Sequence, residues 1–296
     1  MKKSLTWRKK DWLYGYLFIA PLCLGLLIFY IWPFLQNVWF SFNDVNTFNV
    51  ATFVGLENYK KLLSDAEIGK AFLNSLKYVV FTVPIGLFLS LIIAALLNTN
   101  IKAQGIYRTL YFLPSITMSA AVAMVWKWIY NEQMGVLNAL LRKFGFEGHN
   151  WLTDSKSALY CIMLVAIWMG VGYNMVILLA GMQNVPQSFY EAAKIDGGGP
   201  VKCFFKITLP LISPTIFFVL ITGVIGGFQV FDIIYMMIGN SNPAFYDTQT
   251  VVMLYYKQAF EYGQKGYAAC IALFIFLVIM LVTAIQLYCQ KKWVNY

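Results

Sequence analysis

Six uninterrupted apolar stretches, at 12–32, 72–97, 107–130, 159–182, 211–238 and 267–288, leave this 296-residue chain little freedom of fold class. Each matches the ~20 residues of helix that cross a hydrocarbon core. In that solvent every backbone N–H and C=O must find its partner inside the protein, so only helices and closed barrels can span it. Barrel strands alternate lipid-facing and lumen-facing residues over about ten positions. These runs are continuous, which predicts an all-α, polytopic membrane protein with six transmembrane helices. Charged residues make up only 12% of the chain against 60% hydrophobic, where a soluble domain is roughly one-quarter charged.

The first stretch follows Lys2, Lys3, Arg8, Lys9 and Lys10, as a secretory signal would. Its apolar run is too long for one and leads into Trp32, Pro33 and Phe34 with no small-residue cleavage pattern, so it reads as a retained helix. Orientation follows from the basic residues. The N-terminal arm, the second and fourth loops and the tail hold twelve: those five with Lys102, Arg108, Lys194, Lys202, Lys206, Lys291 and Lys292. The longer first, third and fifth loops hold eight. Both termini and the fourth loop are therefore expected in the cytoplasm. The net charge of +9 is mostly this bias, and no nucleic-acid partner is implied.

Apart from Arg108 at the loop edge of the third stretch, three charges remain within the apolar stretches. Lys77 and Lys127 lie near the expected outer ends, where long side chains snorkel to the headgroups. Asp232, in "GGFQVFDIIYMM", is deeper and should face a cavity or a partner helix, either touching substrate or tying helices together. Enzymatic constellations are missing from the pattern. His149 has no neighbouring ligands, Cys23, Cys161, Cys203, Cys270 and Cys289 form no C-x-x-C pair, and "DGGGP" lacks the Lys-Ser/Thr of a phosphate loop. No catalytic residue, metal site or bound cofactor is expected. Any nucleotide energy must come from another subunit.

The fourth loop reads "NVPQSFYEAAKIDGGGPVKCFFKITLPLISP". Pro186 suits a helix start, and Gly197 to Gly199 offer a left-handed stop after Asp196. Between them Ala192 and Ala193 leave a helix with almost no side chain, able to lie close against another surface, while Glu191, Lys194 and Asp196 fix register by charge. A second short helix over 201–207 leads to Pro210. The segment is thus either a knob that fits a cytoplasmic partner and transmits force to two spans, or an ordinary helical connector.

This loop resembles the EAA motif of binding-protein-dependent ABC importer permeases: Glu191, Ala192, Ala193, Asp196, Gly197, Ile207, Leu209 and Pro210 stand in its register. Gly198 stands where many relatives have Ala, a change that should loosen the turn slightly. "FVGLENYKKLL", "YFLPSITMSAAVAMVWKWIYNEQMGVLNALL" and "FQVFDIIYMM" resemble segments of the carbohydrate-uptake branch (maltose/glycerol-phosphate permease-like), whereas "IGNSNP" replaces the usual Gly-Gly-Pro after the fifth span.

The resemblance implies a type I ABC importer permease fold. It divides the chain into an arm, first helix and outer loop (1–70), a five-helix core (71–290) carrying the coupling loop 183–210, and a short cytoplasmic tail (291–296). It implies a bacterial plasma membrane location and a heterodimeric pore shared with a second permease subunit. Two ABC ATPase subunits binding ATP and Mg, and an extracytoplasmic solute-binding protein, complete the assembly. Glu191, Ala192, Ala193, Asp196 and Gly197 would couple to the ATPases. Gly170, Tyr173, Asn174, Gln229 and Asp232 are candidates for the substrate path, because aromatic faces stack on sugar rings and amides both donate and accept hydrogen bonds. Helix packing is the alternative for the small residues, Gly223 and Gly227 above all. The expected cargo is a sugar or oligosaccharide, with a sugar-like solute such as glycerol phosphate as the alternative and an ion-coupled secondary transporter as a further one.

Overall fold

The computed structural model describes residues 3–45, 50–99 and 101–294. Residues 1–2 of the arm, 46–49 of the first loop and 295–296 of the tail lie outside the described residues. Four helices are long and apolar enough to cross a membrane unbroken: Asp11–Ser41, Ala66–Leu97, Ala158–Gln183 and Lys265–Gln290. The third predicted span is present as a bent pair, while the fifth keeps an unbroken helix only to Phe228 and is met at a bend by a helix from the predicted fourth loop. Gln104–Ile116 meets Ser119–Ile129 at 95°, and Pro200–Leu211 meets Ser213–Phe228 at 65°. Six passes result only when each bent pair counts as one.

The first span runs past its predicted end at Trp32 to Ser41. Proline should stop a helix by clashing with the carbonyl four residues back. Here a π turn at Leu27–Ile31 precedes Pro33, and another at Phe204–Thr208 precedes Pro210. The wider turn relaxes that clash and lets the helical path continue. The third span breaks for a local reason. Pro114 denies its last turn a donor, and Thr117 and Met118 are extended. The hydroxyls of Ser115 and Thr117 donate to Phe112 O (2.7 Å) and Leu113 O (2.8 Å), supplying carbonyls that the break would strand.

The chain forms two compact units, Met1–Ser64 with Tyr255–Phe274 and Asp65–Leu254 with Ile275–Tyr296. In the first, the long helix is followed by an antiparallel hairpin, Asn43–Val45 with Ala51–Phe53 in the register Asp44↔Thr52, which the all-helical expectation omitted. Asn37 Nδ2 donates to Ala269 O (3.2 Å), Ser41 and Tyr59 share a 2.7 Å hydrogen bond, and Asn58 donates to the carbonyls of Ser41 and Asn43. Gly266 lies against the Asn43 carbonyl with no room for a Cβ. No residue from Asp11 to Phe40 is buried, so the first span presents bare apolar surface along its length.

The second unit holds the packed core. The second and fourth spans join through Ser90, whose Oγ donates to Gly86 O on its own helix and to Val171 O (3.0 Å) across the contact. Gly172 admits the Tyr111 carbonyl so closely that any side chain would collide, and Gly181 seats Thr215 Oγ1 2.7 Å from where a Cβ would lie. Small residues at crossings are what drives helix association where lipid is as apolar as leucine.

The segment between the third and fourth spans is organised by one fully buried amide. Asn138, on the short helix Val136–Lys143, donates to the carbonyls of Asn131, Glu132 (3.0 Å) and His149 (2.9 Å). Its Oδ1 accepts from His149 N (3.1 Å) and Trp151 Nε1 (2.8 Å). An unsatisfied buried group costs about 1–3 kcal/mol. Asn138→Ala orphans several, so a loss of about 3 kcal/mol is expected. It should appear as a lowered unfolding temperature of the detergent-purified protein, with Asn138→Asp, which keeps the acceptors, intermediate. Unchanged melting would show that water replaces these bonds.

Candidate functional site

Two regions carry the sequence-predicted residues. The first is the fourth loop. A helix runs over Gln187–Ile195 with Pro186 at its N-cap (φ −59°), where a missing N–H costs nothing. Its end is a Schellman motif: Gly197 N donates to Lys194 O (3.1 Å) and Gly198 N to Ala193 O (2.7 Å), with Gly197 at φ +68°. Gly198 does not loosen this turn. A Cβ there would sit 2.7 Å from Ala193 O, so glycine is what lets the turn close.

Phe189, Ala192 and Ile195, three residues apart, are all exposed, as are Glu191 and Asp196, while Ala193 is half-buried. The returning helix, Pro200–Leu211, ties back through Tyr190 OH and Thr208 Oγ1 (2.8 Å). Its Phe204 packs on a core cluster of Leu97, Met182 and Ile212. The hairpin is therefore fixed at its base and bare at its tip. A displacement of the tip must act on the helices that hold Leu97, Met182 and Ile212.

The second region is an interruption. The fifth predicted span was read as continuous over 211–238, with Asp232 inside it. Instead Ser213–Phe228 stops, Gln229 to Phe231 leave the helix, and Asp232–Ile238 starts anew. Two glycines, Gly226 and Gly227, precede the stop. Asp232 thus opens a short helix and is exposed, near a positive helix end rather than in mid-helix. Sixteen residues of Ser213–Phe228 reach about 24 Å, short of a ~30 Å core. Non-helical backbone at membrane depth is tolerated only where protein buries it or water reaches it. Here Val230 O accepts from Thr250 Oγ1 (3.2 Å), while the Gln229 side chain stays exposed.

Gly170, Tyr173 and Asn174 share one face of Ala158–Gln183, three and four residues apart. Tyr173 is 55% exposed, Asn174 half-buried, and a Cβ at Gly170 would meet open space. The side chains of Tyr173, Asn174, Gln229 and Asp232 form no hydrogen bond among the described residues. Met169 and Phe231, neighbours in sequence of the two groups, pack against one apolar cluster. The packing alternative holds for Gly223 and Gly227, which lie against Val83 and Val79 of the second span. Sequence reasoning missed the break itself, Ser90, Gly172 and Thr250. The Gly226-Gly227 pair and the Pro-Ser-Ile-Thr run were the available signals for the two discontinuities.

Helical passes that are interrupted beside free polar side chains, with a rigid exposed hairpin between two of them, are the build of a membrane transport component. The chain belongs to the family of binding-protein-dependent transport system inner membrane components, whose model matches residues 71–295. It is 37% identical to the probable ABC transporter permease protein YesP of Bacillus subtilis, across 100% of this chain and 96% of that one. It is 34% identical to the arabinooligosaccharides transport system permease protein AraP of the same organism, across 92% and 87%. Its fold is that of a chain in the crystal structure of a bacterial ABC transporter that imports the acidic polysaccharide alginate. That match has a TM-score of 0.84 and 21% identity, over 97% of this chain and 98% of that one. The protein is a multi-pass membrane permease.

The Schellman turn gives a direct test. Alanine at Gly197 must adopt a left-handed backbone at a cost of about 1 kcal/mol. Gly197→Ala should speed amide exchange across 192–198 about fivefold, with Lys194→Ala unchanged. Equal exchange in both variants would mean that the hairpin tip is already frayed.

Proposed function

We propose that this chain is one half of a heterodimeric pore that takes a sugar or oligosaccharide from an extracytoplasmic solute-binding protein and passes it across a bacterial plasma membrane. Both termini and the loop 183–210 face the cytoplasm, as the distribution of basic residues indicates. Two ATPase subunits, which bind ATP and Mg, engage the exposed face of Gln187–Ile195, with Glu191, Ala192, Ala193, Asp196 and Gly197 as the contact. The observation that carries this reading is the hairpin: rigid at its turn, apolar at its tip and packed at its base on three spans.

ATP-driven closure of the partner subunits would move the tip and shift the population between inward-open and outward-open pores. A partner can do this only by binding the two states with different affinity. The broken fifth span and the free side chains of Tyr173, Asn174, Gln229 and Asp232 supply the wall of the path. The arabinooligosaccharides named for one relative, together with this mix of aromatic and amide groups, favour a neutral saccharide. The bare first span favours a second permease subunit as its cover.

A broken helix is also how ion-coupled transporters build their sites. Membership of a binding-protein-dependent family weighs against that reading, and one experiment separates the two. In proteoliposomes holding the reconstituted complex and a saccharide-loaded binding protein, uptake should require ATP. Ala193→Trp should abolish it by blocking close approach. Glu191→Ala should weaken ATPase docking about tenfold, the worth of one charge-assisted hydrogen bond. Uptake that proceeds without ATP and ignores both substitutions would reduce the hairpin to a connector.

A further inference from the structure

A groove in the core unit is lined by none of the residues proposed for the substrate path. This groove of about 720 Å³ runs beside the start of Ala158–Gln183, between that helix, Ser119–Ile129 and the segment around Trp151. Trp126, Tyr130, Trp151, Tyr160 and Leu164 wall it, and Lys156 is the charged residue on its lining. The wall is preformed. Trp126 packs on Tyr130 (5.4 Å between centroids) and edge-on to Trp168 (5.7 Å), Tyr130 on Trp151 (6.3 Å), and Tyr130 OH donates to Cys161 O (3.3 Å). Trp151 is held in turn by the Asn138 amide.

The groove has a polar end and an apolar end. Lys156 and Ser157 lie just before the helix begins at Ala158; Tyr160 and Leu164 follow along it and are half exposed on the open side. From Ala158 to Leu164 is about 9 Å of helix, within the ~15 Å depth of one leaflet. Aromatic side chains at a span's end mark the headgroup level. The nearby acid is already engaged. Asp154 accepts from the backbone of Lys156 and from Ser157 and lies 3.4 Å from His149, and its carboxyl is held below the usual carboxylate range mainly by that Lys156 N–H. The Lys156 ammonium is exposed and forms no ion pair among the described residues.

We propose that this groove is a binding site for an anionic phospholipid, its phosphate on the Lys156 ammonium and one acyl chain laid between Trp126, Tyr160 and Leu164. The charge at one end, the apolar aromatic wall below it and the half-exposed Tyr160 and Leu164 on the open side together fit an amphiphile with a negative head. A soluble saccharide would find almost no polar partner there. On the orientation proposed above, the lipid belongs to the outer leaflet. Bound there, it would steady the junction between the broken third span and the fourth.

The assembled complex, reconstituted in phosphatidylcholine vesicles with a minor fraction of phosphatidylglycerol, can be extracted in mild detergent and its retained lipids counted by mass spectrometry. One lysine near a charged surface is worth about fivefold in preference for an anionic lipid. Lys156→Gln should lower the retained phosphatidylglycerol-to-phosphatidylcholine ratio by about that factor, Lys156→Arg should restore it, and Leu164→Trp should evict both lipids. Equal ratios in wild type and Lys156→Gln would overturn the proposal. So would retention by the isolated chain but not by the complex, since the partner subunit would then fill the groove. Retention does not depend on orientation, which labelling of a Ser155→Cys variant with an impermeant thiol reagent reads separately.

Discussion

The obligation to satisfy every backbone polar group without water governs this molecule more than any single side chain. Where the helices run straight it is met locally, and sequence need only be apolar. Where they break, a substitute donor stands at the break: Ser115 and Thr117 at the turn of the third span, Ser213 at the carbonyl of Pro210, Thr250 at the carbonyl of Val230. Two of the prolines obey it too. Pro33 and Pro210 follow π turns that open the hydrogen-bond ring ahead of them.

That rule explains which features could be read from sequence. The positions of the six passes follow from apolar length alone, because length is what a bilayer measures. The fourth loop was legible down to its caps, since Pro186 and Gly197 act within one turn of chain. The breaks at 117–118 and 229–231 were signalled only faintly, by Pro114 and by the Gly226-Gly227 pair, and were missed. "YFLPSITMSA" and "GGFQVFDII" are apolar on either side of the interruption, and what stabilises the second break is Thr250, twenty residues away. A window along the chain cannot see a partner supplied by another element. The same holds for Gly172, whose necessity lies in the Tyr111 carbonyl rather than in its neighbours.

Asp232 shows how such a hidden break changes chemistry. In a continuous span it would be an expensive buried carboxylate demanding a cation. At the start of a short helix its exposed side chain meets the positive end of the backbone dipoles. An ion partner is then unnecessary for its presence. This weakens the case for ion coupling without appeal to relatives, and it places a hydrogen-bond acceptor three residues from Gln229 on the proposed path.

Stiffness is distributed in the same economical way. The hairpin 183–210 is tight at Gly197 and Gly198 and seated at Phe204, yet its outward face is nearly bare. A flexible tip would absorb a partner's motion; a loose base would dissipate it. Because Phe204 and Ile212 share a cluster with Met182 and Leu97, a push on the hairpin cannot move the fifth span alone. It must also strain the second and fourth, which are locked together at Ser90. The hairpin and the wall of the proposed path are thus one mechanical body, and glycine at 198, by letting the turn close, is part of what makes it so.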